Sequence, residues 1–473
     1  NTFAYITRSN YQTTEKYGAW NIMDKPYIKL LSYKNKLYFV YDVNRNELKN
    51  ITCETYNLLR DILFEKKTTK EGNPEINHLL MGGYLLPDRP QHIEQPLNKF
   101  LSLYINNRIN GIVLQVTQSC NLKCKYCVYA INGIYNRKHS SKHMEWETAK
   151  GAIDYLREHS KDLSNIRISF YGGEPMLNMA LVEKAVLYAE KTMPYKKISF
   201  AMTTNLTRLS SDNIKFLKDH SFKLTVSLDG PQDVNDKNRF FAVNGESTYN
   251  TVIDNLRQLV DDNNYCNNNL QINAVIDKSV DQQYISTFFQ NHDLLRNIDI
   301  GYSTVNDSNL RIQYYTSPQY MKCEKIMRFK DIIRRALNEI DSNETFNDIC
   351  EKISKKSMPY SKQKNVHHNG PCVPGVKKLF VDVNGNFFPC EKANDLSSHL
   401  KIGNVINGIN LEKVKELYNV GKISEDECKS CWAIKLCSCC AVNIDDGKCL
   451  SKDLKASICA AQQKQLEDEL IQL

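Results

Sequence analysis

Residues 112–127 read Ile-Val-Leu-Gln-Val-Thr-Gln-Ser-Cys-Asn-Leu-Lys-Cys-Lys-Tyr-Cys, an apolar stretch running straight into Cys120, Cys124 and Cys127. The spacing is C-x₃-C-x₂-C. Three thiolates just past a predicted strand can bind three irons of a [4Fe–4S] cluster and leave the fourth iron open. A structural zinc site wants a fourth Cys or His nearby to close its tetrahedron, and none follows closely.

Outward from this stretch the chain alternates between two periodicities. Strands are predicted over Ile112–Val116, Ile166–Phe170, Ile198–Thr203, Leu224–Leu228, Gln271–Ile276 and Ile298–Ser303. Helices are predicted between them over Trp146–Glu158, Leu181–Thr192, Asn213–His220, Tyr249–Asp261 and Gln282–Asn291. Alternation of this kind builds a parallel sheet wrapped by helices, an α/β fold whose sites gather at the carboxyl ends of its strands.

Polar motifs sit at those strand ends. They are Ser-Phe-Tyr-Gly-Gly-Glu-Pro (169–175), Phe-Ala-Met-Thr-Thr-Asn (200–205), Val-Ser-Leu-Asp-Gly-Pro (226–231) and the run ending at Arg239. With the cysteine triad they resemble, in order, the core of radical S-adenosylmethionine (SAM) enzymes. That resemblance implies a partial (β/α)₆ TIM-like barrel over residues 106–310. It also implies SAM chelating the open iron through its amino and carboxylate groups, and reductive cleavage of SAM to a 5′-deoxyadenosyl radical. Carried over by motif, Tyr126 lines the adenine, and Gly172, Gly173 and Glu174 approach the methionyl amine. Ser227 and Arg239 meet ribose and carboxylate, and Thr204 and Asn205 complete the cofactor site.

The last hundred residues hold a second concentration of cysteines: Cys372, Cys390, Cys428, Cys431, Cys437, Cys439, Cys440, Cys449 and Cys459. Leu379–Val383 and Asn386–Phe388 flank Asn384-Gly385, a two-residue hairpin signal, and the hairpin brings Cys390 towards Cys372. C-x₂-C pairs also occur in zinc knuckles, but nine cysteines exceed one zinc site and suit two iron–sulfur clusters. The region, residues 371–473, resembles the small cysteine-rich α+β SPASM extension, which binds two auxiliary [4Fe–4S] clusters. By that resemblance Cys428, Cys431, Cys437 and Cys459 hold the outer cluster, and Cys372, Cys390 and Cys440 the inner one. The family spacing ends C-x₃-C, whereas position 441 here is Ala, so Cys439 rivals Cys440. Cys449 rivals Cys459, which is preferred because it opens the helical pattern Ala460–Leu470. With three protein ligands, the inner cluster keeps one iron open to a substrate thiolate.

Residues 1–105 are different in texture. Tyr27–Ser32 and Lys36–Tyr41 read as a hairpin, Thr52 as the N-cap of a helix over Glu54–Phe64, and Pro74–Met81 as a second helix ending at Gly82-Gly83. A small sheet with short helices suggests a winged-helix-like module, which in peptide-modifying radical SAM enzymes recognises a leader peptide. Its alternative is a cap that shields the barrel. Residues 311–370 read as a helical bridge, with a helix over Arg328–Ile340 and a loop in which His367 and His368 are expected to face solvent.

The chain of 473 residues carries 62 Lys and Arg against 54 Asp and Glu, dispersed rather than clustered. Nucleic acid is therefore not the expected partner. No apolar run approaches the roughly 18 residues of a membrane span, and a cytoplasmic, reducing compartment suits clustered, metal-binding cysteines. Taken together, the pattern implies three [4Fe–4S] clusters and SAM, a reductant such as a ferredoxin or flavodoxin, and a Cys-containing precursor peptide with a leader. The expected activity is a peptide maturase that makes intramolecular thioether links from Cys. The alternatives are carbon–carbon or carbon–oxygen crosslinking, and sulfatase-type oxidation of Cys or Ser. An iron–sulfur electron carrier would have no need of the SAM motifs.

Overall fold

The computed structural model describes residues 25–64, 73–127, 129, 139–260, 269–305 and 364–471. The N-terminal part is an antiparallel sheet of β1 (Ile28–Tyr33), β2 (Leu37–Asp42) and β3 (Glu47–Ile51) in that order. The hairpin matches its prediction, and β3 adds a strand that the polar sequence of residues 47–50 had concealed. Helix α1 (Cys53–Leu63) starts where expected, with Thr52 Oγ1 accepting from Thr55 N at 3.2 Å. Helix α2 (Pro74–Met81) begins on a Pro behind Asn73, whose side chain accepts from Glu75 N and Ile76 N, and it stops at Gly82-Gly83.

Strand β4 (His92–Ile93) and helix α3 (Leu101–Asn107) lead into the main sheet. Its parallel strands are β5 (Gly111–Thr117), β6 (Asn165–Gly172), β7 (Lys197–Thr204), β8 (Lys223–Ser227), β9 (Leu270–Ile276) and β10 (Asp299–Thr304). The connecting helices are α4 (Trp146–His159), α5 (Met179–Thr192), α6 (Ser211–Asp219), α7 (Gln232–Asn238), α8 (Tyr249–Val260) and α9 (Gln282–Asn291). This is the partial-barrel α/β arrangement expected, with strand and helix limits close to those read from periodicity. Every residue of β5 is buried, as befits a strand covered on both faces. Ile112, Leu114, Phe170, Phe200 and Leu224 form the main core with the inward faces of α4 and α5.

The tail continues the same sheet. After β11 (Asn365–Val366), β12 (Leu379–Val381) pairs in parallel with β5, then antiparallel with β13 (Asn386–Phe388). Strands β14 (Gly403–Asn404) and β15 (Gly408–Ile409) follow, and among the described residues the sheet has ten strands. The β12–β13 turn is longer than the Asn-Gly pair suggested. Asp382 N donates to Asn386 O and Gly385 N to Asp382 O, both at 3.0 Å, with Gly385 at φ +81°. A three-residue loop of this kind needs φ > 0 at its last position, which Gly supplies. Helices α10 (Leu411–Tyr418), α11 (Glu425–Ser430) and α12 (Lys452–Ile471) finish the chain.

The N-terminal sheet packs on the tail. Tyr27, Leu31, Tyr41, Val43 and Ile93 share a core with Ala433, Ile434, Leu436, Leu466 and Leu470. Tyr27 Oη donates to Cys431 O at 2.6 Å.

One expectation is overturned here. His367 and His368 do not face solvent; they are 6% and 2% exposed. Strand β11 pairs with β4 and carries the histidines into the interior, and a two-residue strand leaves no periodicity to read. Gly421 N donates to His367 Nε2 at 2.8 Å, so the ring proton sits on Nδ1 and is donated to His368 O at 2.9 Å. The helix expected over Arg328–Ile340 lies outside the described residues.

Candidate active site

The cysteine loop leaves the end of β5 and is gripped from two sides. On one side Gly173 N donates to Thr117 O and Glu174 N to Ser119 O, both at 2.9 Å. On the other, Lys123 N donates to Phe240 O and Lys125 N to Asn238 O, both at 3.0 Å. Leu122, between the first two cysteines, is buried and anchors the loop. Gly172 (φ +141°) and Gly173 are required by this packing. A Cβ on either would stand 2.1 Å from a backbone oxygen, of Thr117 and Ser119 respectively.

Glu174 is 1% exposed and points its carboxylate inward. It accepts from Met176 N at 3.0 Å, Thr204 Oγ1 at 2.7 Å and Asn205 N at 2.6 Å. Burial raises its pKa, and these donors pull it back. Asn205 Nδ2 in turn donates to Asn121 Oδ1 at 3.0 Å and lies 3.9 Å from Cys120 Sγ. Thr204 and Asn205 thus act first as braces between the end of β7 and the cysteine loop.

Tyr126 stands between Arg239 and Asp229, the latter a residue of the 226–231 motif to which the sequence assigned no role. Tyr126 Oη donates to Asp229 Oδ2 at 2.5 Å, Arg239 Nη1 donates to Tyr126 Oη at 2.9 Å, and Arg239 stands 4.0 Å from Asp229. Burial pushes the Asp229 carboxyl up, while Arg239 and the tyrosine hydroxyl pull it down. The Arg239 charge is therefore already balanced inside the protein. Ser227 lies at the carboxyl end of β8, facing Asn273 across the sheet. His139, also missed, has Nε2 3.8 Å from Cys127 Sγ.

Cys120, Cys124 and Cys127 stand together as partly buried thiols outside any disulfide. Burial pushes Cys120 up to about 12, and nearby Glu174, Cys124 and Cys127 add to the rise. Thiols that ionise this reluctantly alone become thiolates when metal cations sit among them, so the donor set fits an iron–sulfur cluster. Among the described residues no three such side chains converge on a single ion.

The tail's thiols fall into two groups. Burial raises Cys431 to about 11 with Cys428 and Cys459 close by, and Cys437 to about 12 with Cys459, Cys431 and Cys428 close by. Burial likewise raises Cys390 to about 11, with Cys440 and Cys372 as neighbours, and Cys440 also feels Cys372. Cys439 is fully buried and faces Cys437 and Cys459 as well as Cys440. Cys449 is exposed against Asp446.

Residues 114–270 match the Radical SAM superfamily. Radical SAM cyclopropyl synthase TigE of Paramaledivibacter caminithermalis is 26% identical over 314 residues, covering 62% of this chain and 61% of that protein. A cysteine-type anaerobic sulfatase-maturating enzyme of Clostridium novyi is 27% identical over 153 residues, covering 32% of this chain and 40% of that enzyme. The chain thus spans less than two thirds of the length of these curated relatives. Native anSMEcpe with bound AdoMet shares the fold at a TM-score of 0.55 and 21% identity, over 76% of this chain and 99% of that one. Among the described residues no helix is long and apolar enough to cross a membrane.

Proposed function

We propose, for a chain whose residues 114–270 are a radical SAM domain, the activity of a peptide maturase that installs intramolecular thioether links from Cys. The observation that carries the thioether reading is the grouping of the tail's thiols. Cys428, Cys431, Cys437 and Cys459 make a set of four, while Cys372, Cys390 and Cys440 make a set of three. A [4Fe–4S] cluster on three thiolates has room for a fourth from substrate, and metal ligation lowers the pKa of that sulfur and orients it.

Cys120, Cys124 and Cys127 would hold the cluster that binds SAM, and together these groups supply the radical chemistry. The chain's own part is placement. Glu174 and Asn205 brace the cysteine loop against the strand ends, and Asp229 fixes Tyr126 and Arg239 on its other flank. In the net reaction, one C–S bond replaces a C–H and an S–H bond. The peptide gives up two electrons and two protons. SAM takes both electrons and one proton, leaving as methionine and 5′-deoxyadenosine, and one proton is released.

A peptide substrate is supported by relatives that mature proteins and by anSMEcpe, which has been solved with AdoMet and the Kp18Cys peptide. The N-terminal sheet is the candidate leader-binding element, and a ferredoxin- or flavodoxin-type reductant completes the system. The test is anaerobic incubation of the reconstituted enzyme with SAM, dithionite and a Cys-containing precursor encoded beside its gene. The expected product is lighter by two hydrogens per link, with one free thiol lost each time and 5′-deoxyadenosine formed. A peptide losing mass with all its thiols still alkylatable overturns the thioether reading and leaves carbon–carbon or carbon–oxygen crosslinking or oxidation of Ser.

A further inference from the structure

Lys455 lies in the first turn of α12 and is 1% exposed. Its ammonium donates to Ser424 Oγ at 2.5 Å, to the Gly421 carbonyl at 3.3 Å and to Cys428 Sγ at 3.4 Å. Among the described residues no carboxylate pairs with it. Glu427, next to Cys428 in the chain, feels the lysine's charge through space but is bound to Lys452 at 2.8 Å. His367 and His368, the other titratable groups on its interior side, are held neutral by burial, at about 4 and about 2. A buried ammonium among a hydroxyl, a carbonyl and neutral rings costs several kcal/mol unless an anion compensates it. Within its reach are Cys428 and, through space, Cys459 and Cys439. Four thiolates around a [4Fe–4S] core make a net anion, which is the missing counter-charge.

We infer that Lys455 is the buried counter-ion of an iron–sulfur cluster on Cys428, Cys431, Cys437 and Cys459, and that its N–H···S contact holds that cluster's reduction potential up. The inference rests on the reading that these four thiols carry a cluster. A fixed positive charge and a hydrogen bond to a ligand sulfur both favour the form with one more electron. The outer cluster is then easier to reduce than it would be without the lysine.

The reading and the inference fail separately. A Cys428→Ser/Cys431→Ser double variant should lose about four irons per chain and one reduced-cluster EPR signal; unchanged iron removes the cluster and the inference with it. With that signal assigned, EPR-monitored redox titration compares the reconstituted wild type with Lys455→Met and Lys455→Arg. At the potential where half of the wild-type outer cluster is reduced, about one tenth or less of the Lys455→Met cluster should be. Lys455→Arg, which keeps the charge, should stay near wild type, and the other signals should not move. Superimposable wild-type and Lys455→Met curves overturn the inference. A second measurement needs no substitution to fold: ENDOR on the wild-type protein labelled with ¹⁵N-lysine should detect a nitrogen coupled to the outer cluster. A spectrum without that coupling also overturns the inference.

Discussion

Gln115 Nε2 donates to Asp395 Oδ2 at 2.9 Å, linking the most buried strand of the barrel to a residue 280 positions later in the tail. The same side chain donates to Tyr129 Oη at 3.0 Å and accepts from Val383 N at 3.1 Å. One amide thereby fastens the β12–β13 hairpin, and with it Cys390, to the strand that carries the cysteine loop. Gln115→Leu leaves Val383 N without this acceptor in a buried setting, at a cost of about 1–3 kcal/mol. The expected outcome is faster amide exchange across residues 379–388 with the β6–β7 amides unchanged, read by hydrogen-exchange mass spectrometry.

Replacing Cys120, Cys124 and Cys127 together with Ala should remove about four irons per chain and reduce SAM cleavage to background. The tail shares none of those thiols, so its iron should remain. Iron analysis and 5′-deoxyadenosine assay are the checks. Undiminished 5′-deoxyadenosine from the triple variant would contradict the assignment of the triad.

The parallel core was legible because β5 to β8 announce themselves twice, through apolar runs and through polar motifs at their ends, and β9 and β10 continue the alternation. The tail was legible only in part. Cysteine spacing separated Cys428, Cys431 and Cys437 from Cys390, but nothing local said that β12 would extend the barrel sheet beside β5. Long-range pairs such as Gln115 with Asp395 leave no periodic trace. Lys455 lies before the helical pattern read over Ala460–Leu470, and its burial follows from what α12 packs against. His367 and His368 were misread for the same reason: a two-residue pairing with β4 decides their burial.

Leader recognition should be sought at the edge of β3. That strand pairs only with β2 among the described residues, while β1 on the other side packs along α12. An exposed edge accepts an extended segment through main-chain hydrogen bonds. Bound precursor should therefore slow amide exchange at Glu47–Ile51 selectively, and a precursor stripped of its leader should not. Deleting residues 1–100 would be a poor substitute, because Tyr27, Leu31 and Tyr41 help to bury Leu436 and Leu466.

Acid should weaken the joint between the N-terminal part and the tail. His367 and His368 carry folded pKa values of about 4 and about 2, lowered chiefly by burial, against 6.5 when exposed. The unfolded chain therefore binds more protons below pH 6.5. The stability they contribute is complete above that pH and declines as pH falls towards the folded values. Between pH 6.5 and 5 each histidine should account for a loss of about 1.5 kcal/mol. Among the described residues neither ring nitrogen of His368 has a hydrogen-bond partner, so His368→Leu should remove its share of the loss without lowering stability at pH 7.5. Urea unfolding of the anaerobic holoprotein at the two pH values is the measurement; an unchanged pH slope in His368→Leu would refute the account.

Adjacent Cys439 and Cys440 should behave differently, although spacing alone left them as rivals. Cys440 is partly buried and has Cys372 as its thiol neighbour, beside Cys390. Cys439 is 0% exposed and turns towards Cys437 and Cys459, a group that already counts four thiols without it. Gly370 packs on this corner so tightly that a Cβ there would meet Cys439 O at 2.1 Å; the backbone has little freedom to exchange the two side chains. Cys440→Ser should therefore lower the iron content by up to about four per chain and abolish crosslinking while the triad still cleaves SAM. Cys439→Ser should keep its iron and pay only a packing and polarity cost of about 1–2 kcal/mol. Iron per chain and the number of reduced-cluster signals in the two single variants decide the matter. Iron loss in Cys439→Ser with full iron in Cys440→Ser would reverse the assignment, and with it the expectation of a three-thiol inner site built on Cys440.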